Sequence, residues 1–257
     1  MPVSQELIFE HPLNERVRTF LRLEHLFERA EHFMPAPSPW ETRAAVEALL
    51  DIIAITARAD IKTELLKEID RNLSTLARIR NQPGVDPGAL NQVIDDLEQA
   101  AGGIHALPGQ IGNEAREDEF LKSIAQRNSI PGGACSFDLP FYHHFLTQPQ
   151  ATRQARLSDW MSGLSAVSQA VRLVLSLART SANPRPRTAQ SGFYQEALDT
   201  QTPAQLVRVG LDPALAIFPE ISGHKNRFSI RFLSADPGQR PSQHREDVAF
   251  RLTCCVF

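Results

Sequence analysis

The sequence predicts an α+β protein. A mainly α-helical domain covers residues 1–182, with a short N-terminal strand able to join the β part, and a small antiparallel β domain covers residues 183–257. Three observations lead there. Through most of the first domain apolar residues recur three and four apart, the repeat of a helix with one buried face. At "SANPRPR", Ser181 to Arg187, two prolines interrupt that pattern. Beyond them the apolar runs are short and alternate with polar residues, as half-buried antiparallel strands do.

Taken in order, "ELIFE" is the short first strand. A helix is expected near Pro12, since proline suits a first helical turn, with Leu13, Val17, Phe20, Leu21, Phe27 and Ala30 on its apolar face. "SPWE" marks the next start: Ser38 as N-cap, Pro39 as the first helical residue and Glu41 closing a capping box. Val46, Leu49, Leu50 and Ile53 follow at helical spacing. Asp60 caps a third helix facing inward with Leu65, Leu66, Ile69, Leu73 and Leu76. "QPGVDPG" breaks the chain, and Asp86-Pro87 restarts it with Leu90, Val93, Ile94 and Leu97 buried. "AGGIHALPGQIG" is read as a second break, after which Asn113 caps a helix holding Phe120, Leu121 and Ile124.

"SIPGGACSFDLP" carries too many turn residues for regular structure, and Asp138 is placed to cap the next helix. Two helices then run from about Pro149 to Gly163 and from about Leu164 to Ser181. The second is apolar around most of its circumference, which suits the centre of a bundle. In the β part the strand candidates are "GFYQ", "QLVRVGL", "NRFSIRFL" and "DVAFRLTCCVF", the last with Val248, Phe250, Leu252, Cys254 and Val256 on one face.

A 42% hydrophobic content excludes a wholly disordered chain. The net charge of −3 argues against a molecule built to coat nucleic acid. From Asn183 onward nine Lys+Arg face seven Asp+Glu, giving +2, whereas the rest holds 18 against 23, giving −5. Cys135, Cys254 and Cys255 form no metal or disulfide spacing, which fits a reducing cytoplasm. No signal peptide and no membrane-spanning apolar stretch is read in the chain.

Catalytic motifs are scarce. The phosphate-cradling, dinucleotide, nucleophile-elbow and zinc-protease patterns are all missing. His143 and His144 are neighbours and diverge by about 100° on a helix, a poor start for a metal site. The best enzymatic candidate is a cysteine-dependent hydrolase with Cys135 as nucleophile, His143 as base and the amides of Gly132 and Gly133 as oxyanion donors. The plainer reading is a tight turn carrying a small buried cysteine.

Basic residues form a more coherent set. Arg18, Arg22, His25 and Arg29 recur on one face of the first long helix, a pattern that solvated helix faces also show. In "SGHKNRFSIRF", Lys225, Arg227 and Arg231 share one side of a strand and Phe228, Ile230 and Phe232 the other. The cations stand over an apolar anchor, and no acidic residue interrupts Ile221 to Ala235. Such a row also protects sheet edges. It equally suits an acidic peptide or phosphate. A nucleic-acid adaptor is the competing reading. It is disfavoured by the overall charge and by aromatics placed on the opposite face, where they could not stack beside the cations.

"LIFEHPLNERVRTFLRLE", "KTELLKEIDR", "PGVD", "SIPGGACSFDLP", "SGFYQ", "ISGHKNRFSIRF" and the "LTCC" ending strongly resemble the ZapD family of bacterial cell-division proteins. The resemblance implies a cytoplasmic, non-catalytic homodimer at the mid-cell division ring, with no cofactor or metal. It implies binding to the C-terminal tail of the tubulin-like GTPase FtsZ and bundling of FtsZ filaments. Carried over by position, the family's basic surface falls on Arg18, Arg22, Arg58, Arg116, His143, Lys225, Arg227 and Arg231. The chain departs from the family pattern at Ala134, where a cysteine is usual, and at Glu119, where a basic residue is usual.

Overall fold

The computed structural model describes residues 6–58, 60–80, 82–199, 201–224, 226–235 and 238–256, without the side chains of Arg58 and His224. The chain has the α+β class: nine helices among the described residues come before most of the strands, which form two antiparallel sheets. It divides into two compact units, residues 20–174 and residues 1–19 with 175–257.

The helical unit contains most of α1 (Glu15–Phe33), α2 (Pro39–Arg58), α3 (Ile61–Ile79), α4 (Pro87–His105), α5 (Asn113–Glu117), α6 (Glu119–Asn128), α7 (Pro140–Leu146), α8 (Gln150–Ser162) and the start of α9 (Ser165–Thr180). Several starts follow local chemistry. Ser38 Oγ accepts from Trp40 N at 3.2 Å and Glu41 Oε2 accepts from Ser38 N at 3.1 Å, a capping box. Asp60 and Asp86 cap α3 and α4 through their carboxylates.

Other starts differ from the expectation. Pro12 ends a strand, and Asn14 Oδ1 accepts from Val17 N at 2.9 Å to open α1. α4 runs through Gly102 and Gly103 to His105, so that break begins later. Asn113 opens only the short α5, and α6 is capped by Asp118. α7 has no side-chain cap, because Asp138 is engaged elsewhere. The buried faces are rotated slightly from the predicted ones, with Leu23 and Ile52 fully buried where Leu21 and Ile53 were expected. α9 keeps Ser165, Gln169, Ser176 and Thr180 exposed along one stripe, so it is not wrapped on all sides.

The guanidinium of Arg153 on α8 is buried in this unit. It donates to Thr42 Oγ1 at 3.0 Å and to the carbonyls of Pro37, Leu146 and Gln148. It thereby ties the start of α2 to the α7–α8 connection. An aromatic group of Phe120, Phe141, Tyr142, Phe145 and Trp160 packs at centroid distances of 5.1–6.4 Å.

The strand unit is a two-layer sandwich. One sheet has the order β1 (Leu7–Pro12), β4 (Leu206–Leu211), β8 (Val248–Cys255), β2 (Arg185–Ala189). The other has the order β3 (Phe193–Ala197), β6 (Arg227–Ser234), β5 (Ile217–His224), with β7 (Ser242–Gln243) also pairing β6. The inner faces share one core, including Val207, Val209, Phe228, Ile230, Phe232, Phe250 and Leu252. Phe232 and Phe250 meet across it at 5.1 Å.

Part of "SANPRPR", read as a break between domains, is strand β2. Its Pro186 is tolerated because β2 is an edge strand. β5 was not foreseen. It contains Pro219 and is likewise an edge. In β8 the alternation holds to Leu252, after which Thr253 and Cys255 are buried as well.

Candidate functional site

β6 places its side chains by simple alternation. Phe228, Ile230 and Phe232 are at most 1% exposed, and Arg227 and Arg231 point to solvent with Ser229 between them. Lys225 lies outside the described residues. The antiparallel register decides which neighbours share the Arg face, since directly paired residues point to the same side. Arg231 stands between Phe193 of β3 and Glu220 of β5. Ser229 stands between Gln195 and Ser222, and Arg227 beside Ala197. One step beyond Arg231, Leu233 pairs with Phe218.

Two features of this face escaped sequence reasoning. Glu220 sits beside Arg231, although no acidic residue interrupts β6 along the chain. The aromatics interleaved along β6 do lie on the opposite face, as expected, but Phe193 of β3 brings an aromatic ring onto the cationic face from a neighbouring strand. Neither Arg227 nor Arg231 makes an ion pair among the described residues, so both guanidiniums are available to a carboxylate-bearing ligand.

The segment carrying Phe193 is tightly held. Ser191 N donates to Asp247 Oδ1 at 2.9 Å, Gln243 Nε2 to Ser191 O at 2.9 Å, and Phe232 N to Gly192 O at 2.8 Å. Gly192 has φ +71°, and a Cβ there would lie 2.3 Å from the carbonyl oxygen of His244. The glycine of "SGFYQ" is therefore required by a close backbone approach in left-handed conformation.

Arg18 belongs to the same strand-rich unit. It pairs with Glu15 at 3.1 Å, so part of its charge is used locally. Burial, with the Arg18 guanidinium adding to it, holds His11 below the ordinary histidine value. Burial also pushes the Cys254 thiol up to about 11 and Cys255 up to about 12, which keeps both protonated at neutral pH.

The remaining predicted residues lie in the helical unit. Arg22 is exposed and, with His25, Leu26, Asp51, Ala54 and Ile55, lines a shallow groove between α1 and α2. Arg29, on the same helix, is 3.1 Å from Glu47 and 4.0 Å from Asp51, so acids on α2 neutralise part of the basic face. Arg116 is half-buried and donates to Gln110 Oε1. His143 is exposed on α7. The side chain of Arg58 lies outside the described residues.

The cysteine loop is arranged differently from a nucleophile and base. Cys135 Sγ donates to Asp138 Oδ2 at 3.1 Å, and no hydrogen bond joins it to His143 among the described residues. The Gly133 amide donates to Ile130 O at 2.8 Å, so the turn itself uses that donor. Among the described residues no single helix is long and apolar enough to cross a membrane.

Comparison with known proteins gives a consistent result. The ZapD family model, described as a cell division protein, matches residues 21–231. A cell division protein ZapD of Methylococcus capsulatus is 43% identical over 255 residues, covering 99% of this chain and 100% of the relative. One from Ralstonia pickettii is 39% identical, covering 98% of this chain and 100% of the relative. One from Aromatoleum aromaticum is 36% identical, covering 99% of each.

Proposed function

The chain belongs to the ZapD family of cell division proteins, and on that premise we propose that it binds the C-terminal tail of FtsZ and cross-links FtsZ filaments at the division ring. The observation carrying this reading is the outer face of β6. Arg227 and Arg231 stand about 13 Å apart on a rigid sheet, four residues of extended chain. An extended acidic segment laid along the strand would meet them with carboxylates at the same spacing. Arginine suits this role because its fork donates to both oxygens of a carboxylate. Arg18, Arg22, Arg58, Arg116, His143 and Lys225 are the further basic residues proposed to contact the tail or to steer its approach.

The protein acts in this reading as a cytoplasmic homodimer without catalysis. Each tail contact is weak, but two sites on one dimer act together on a filament that displays many tails, and the gain is avidity. Two sites on one particle are also the minimum for joining two filaments.

The test is sedimentation of FtsZ polymerised with GTP, alone, with the wild-type protein and with Arg227→Ala/Arg231→Ala. Wild type is expected to pellet with bundled filaments and the folded double variant to lose most of that activity. Equal bundling by both would remove β6 from the site. Absence of binding by wild type would end the FtsZ assignment.

A further inference from the structure

We propose that Phe193 is a specificity-determining residue of the β6 face, so that the site reads an apolar side chain adjacent to a carboxylate and not negative charge alone. The inference rests on the peptide-binding reading above and adds a residue to it.

Three observations carry it. First, Phe193 is the direct cross-strand partner of Arg231 and is 38% exposed. More than a third of this residue's surface stays in water on the outer face of the sheet, and a partner could cover that remainder. Second, the two residues before it, Ser191 and Gly192, are held by the Asp247, Gln243 and Phe232 hydrogen bonds, Gly192 is obligatory there, and Phe193 N itself donates to Gln190 O at 2.9 Å. The ring is thus presented on a fixed support, and a partner would bear little of the entropic cost of ordering it. Third, the apolar surface continues past Arg231 through the half-buried pair Leu233 and Phe218 on the same face. Arg231 therefore has Phe193 beside it on β3 and the Leu233–Phe218 pair one step further along the sheet, with Glu220 beside it on β5.

This arrangement selects its occupant. A carboxylate alone would find Arg231 partly offset by Glu220. A peptide that also sets an apolar side chain over Phe193 and Leu233 removes water from the arginine and strengthens the ionic contact. Aromatic and arginine side chains are the usual dominant contacts of protein interfaces. A single nucleic-acid strand would also stack on a phenyl ring, but Glu220 beside Arg231 opposes the phosphate charge that must accompany every base.

The experiment is fluorescence anisotropy with a labelled FtsZ C-terminal tail peptide and the same peptide with its apolar residues replaced by serine. Wild type, Phe193→Ala, Phe193→Leu and Arg231→Ala are compared at low and high salt, each checked for an unchanged thermal melt. Phe193→Ala is expected to weaken the native peptide about tenfold at both salt concentrations and to leave the serine peptide nearly unchanged, with Phe193→Leu restoring most of the affinity. Arg231→Ala should weaken both peptides, most strongly at low salt. If wild type and Arg231→Ala behave so but Phe193→Ala binds as wild type does, this inference alone is overturned. If wild type does not bind the peptide, the reading beneath it falls too. A single-stranded oligonucleotide that binds wild type more tightly than the peptide, and loses that binding in Phe193→Ala, would overturn the peptide as occupant.

Discussion

Arg153 in the helical unit and Arg231 in the strand unit carry the same guanidinium in opposite circumstances. Arg153 is 5% exposed, and its donors are taken by one hydroxyl and three backbone carbonyls. Arg231 is exposed, has no ion-pair partner among the described residues, and is flanked by a phenyl ring and a carboxylate. The buried cation acts as a structural tie: carbonyls that would otherwise lose water are satisfied by it. The exposed cation leaves the fold unassisted and keeps its donors for something else. The lesson is that a basic residue is best read from what already occupies its donors, since charge and residue type are equal in the two places.

The comparison breaks most sharply at Arg153. Arg153→Met keeps the volume and removes the donors, leaving the buried Leu146 carbonyl and Thr42 hydroxyl, and the part-buried carbonyls of Pro37 and Gln148, without this partner. Each such group costs about 1–3 kcal/mol, so a loss of about 3 kcal/mol or more is expected in chemical denaturation. Arg231→Ala, run in parallel, should change stability by less than about 0.5 kcal/mol, the usual range for a surface substitution. Similar losses in the two variants would mean that Arg231 supports the fold, and the distinction drawn above would be wrong.

The second test concerns the support of the exposed face. Gly192→Ala would force a Cβ against the His244 carbonyl at a positive φ. Close contact and strain of this kind cost about 1–3 kcal/mol. A loss of that size in thermal or urea unfolding would show that the turn presenting Phe193 is constrained. Unchanged stability would show a turn that yields, and weaken the case that the ring is held in place for a partner.

Legibility in the sequence followed the range of the interaction. The Ser38-Pro39-Glu41 start and the Asp60 and Asp86 caps involve bonds over two or three residues, and all were readable. The two faces of β6 follow from alternation alone and were readable too. Arg153 was not, because its partners Pro37 and Thr42 lie more than a hundred residues away. Glu220 and Phe193 were invisible as neighbours of Arg231 for the same reason: register between strands sets them there, and register is a long-range property. Edge strands β2 and β5 were missed because proline reads locally as a break, and only the sheet order shows that their positions tolerate it.

The smallest expected effect concerns His11 on β1, a titratable base under local control. Burial and the neighbouring Arg18 both disfavour its charged form, so its folded-state value lies below 6.5. Between the folded and unfolded values the unfolded chain binds the proton and the folded chain does not. Stability therefore rises with pH across that window and falls as the solution is acidified below the unfolded value. Urea unfolding of wild type should show a loss of stability as the pH falls through and below the ordinary histidine value of 6.5, and that loss should be shallower in His11→Gln. Equal slopes would place the acid sensitivity elsewhere. Arg18→Gln separates the two causes: it removes the charge and leaves the burial, so the window should narrow without closing. A window that closes completely would make Arg18 the main determinant. The cation on α1 would then belong with Arg153 among residues engaged by the fold, and its share in a basic binding surface would need to be dropped.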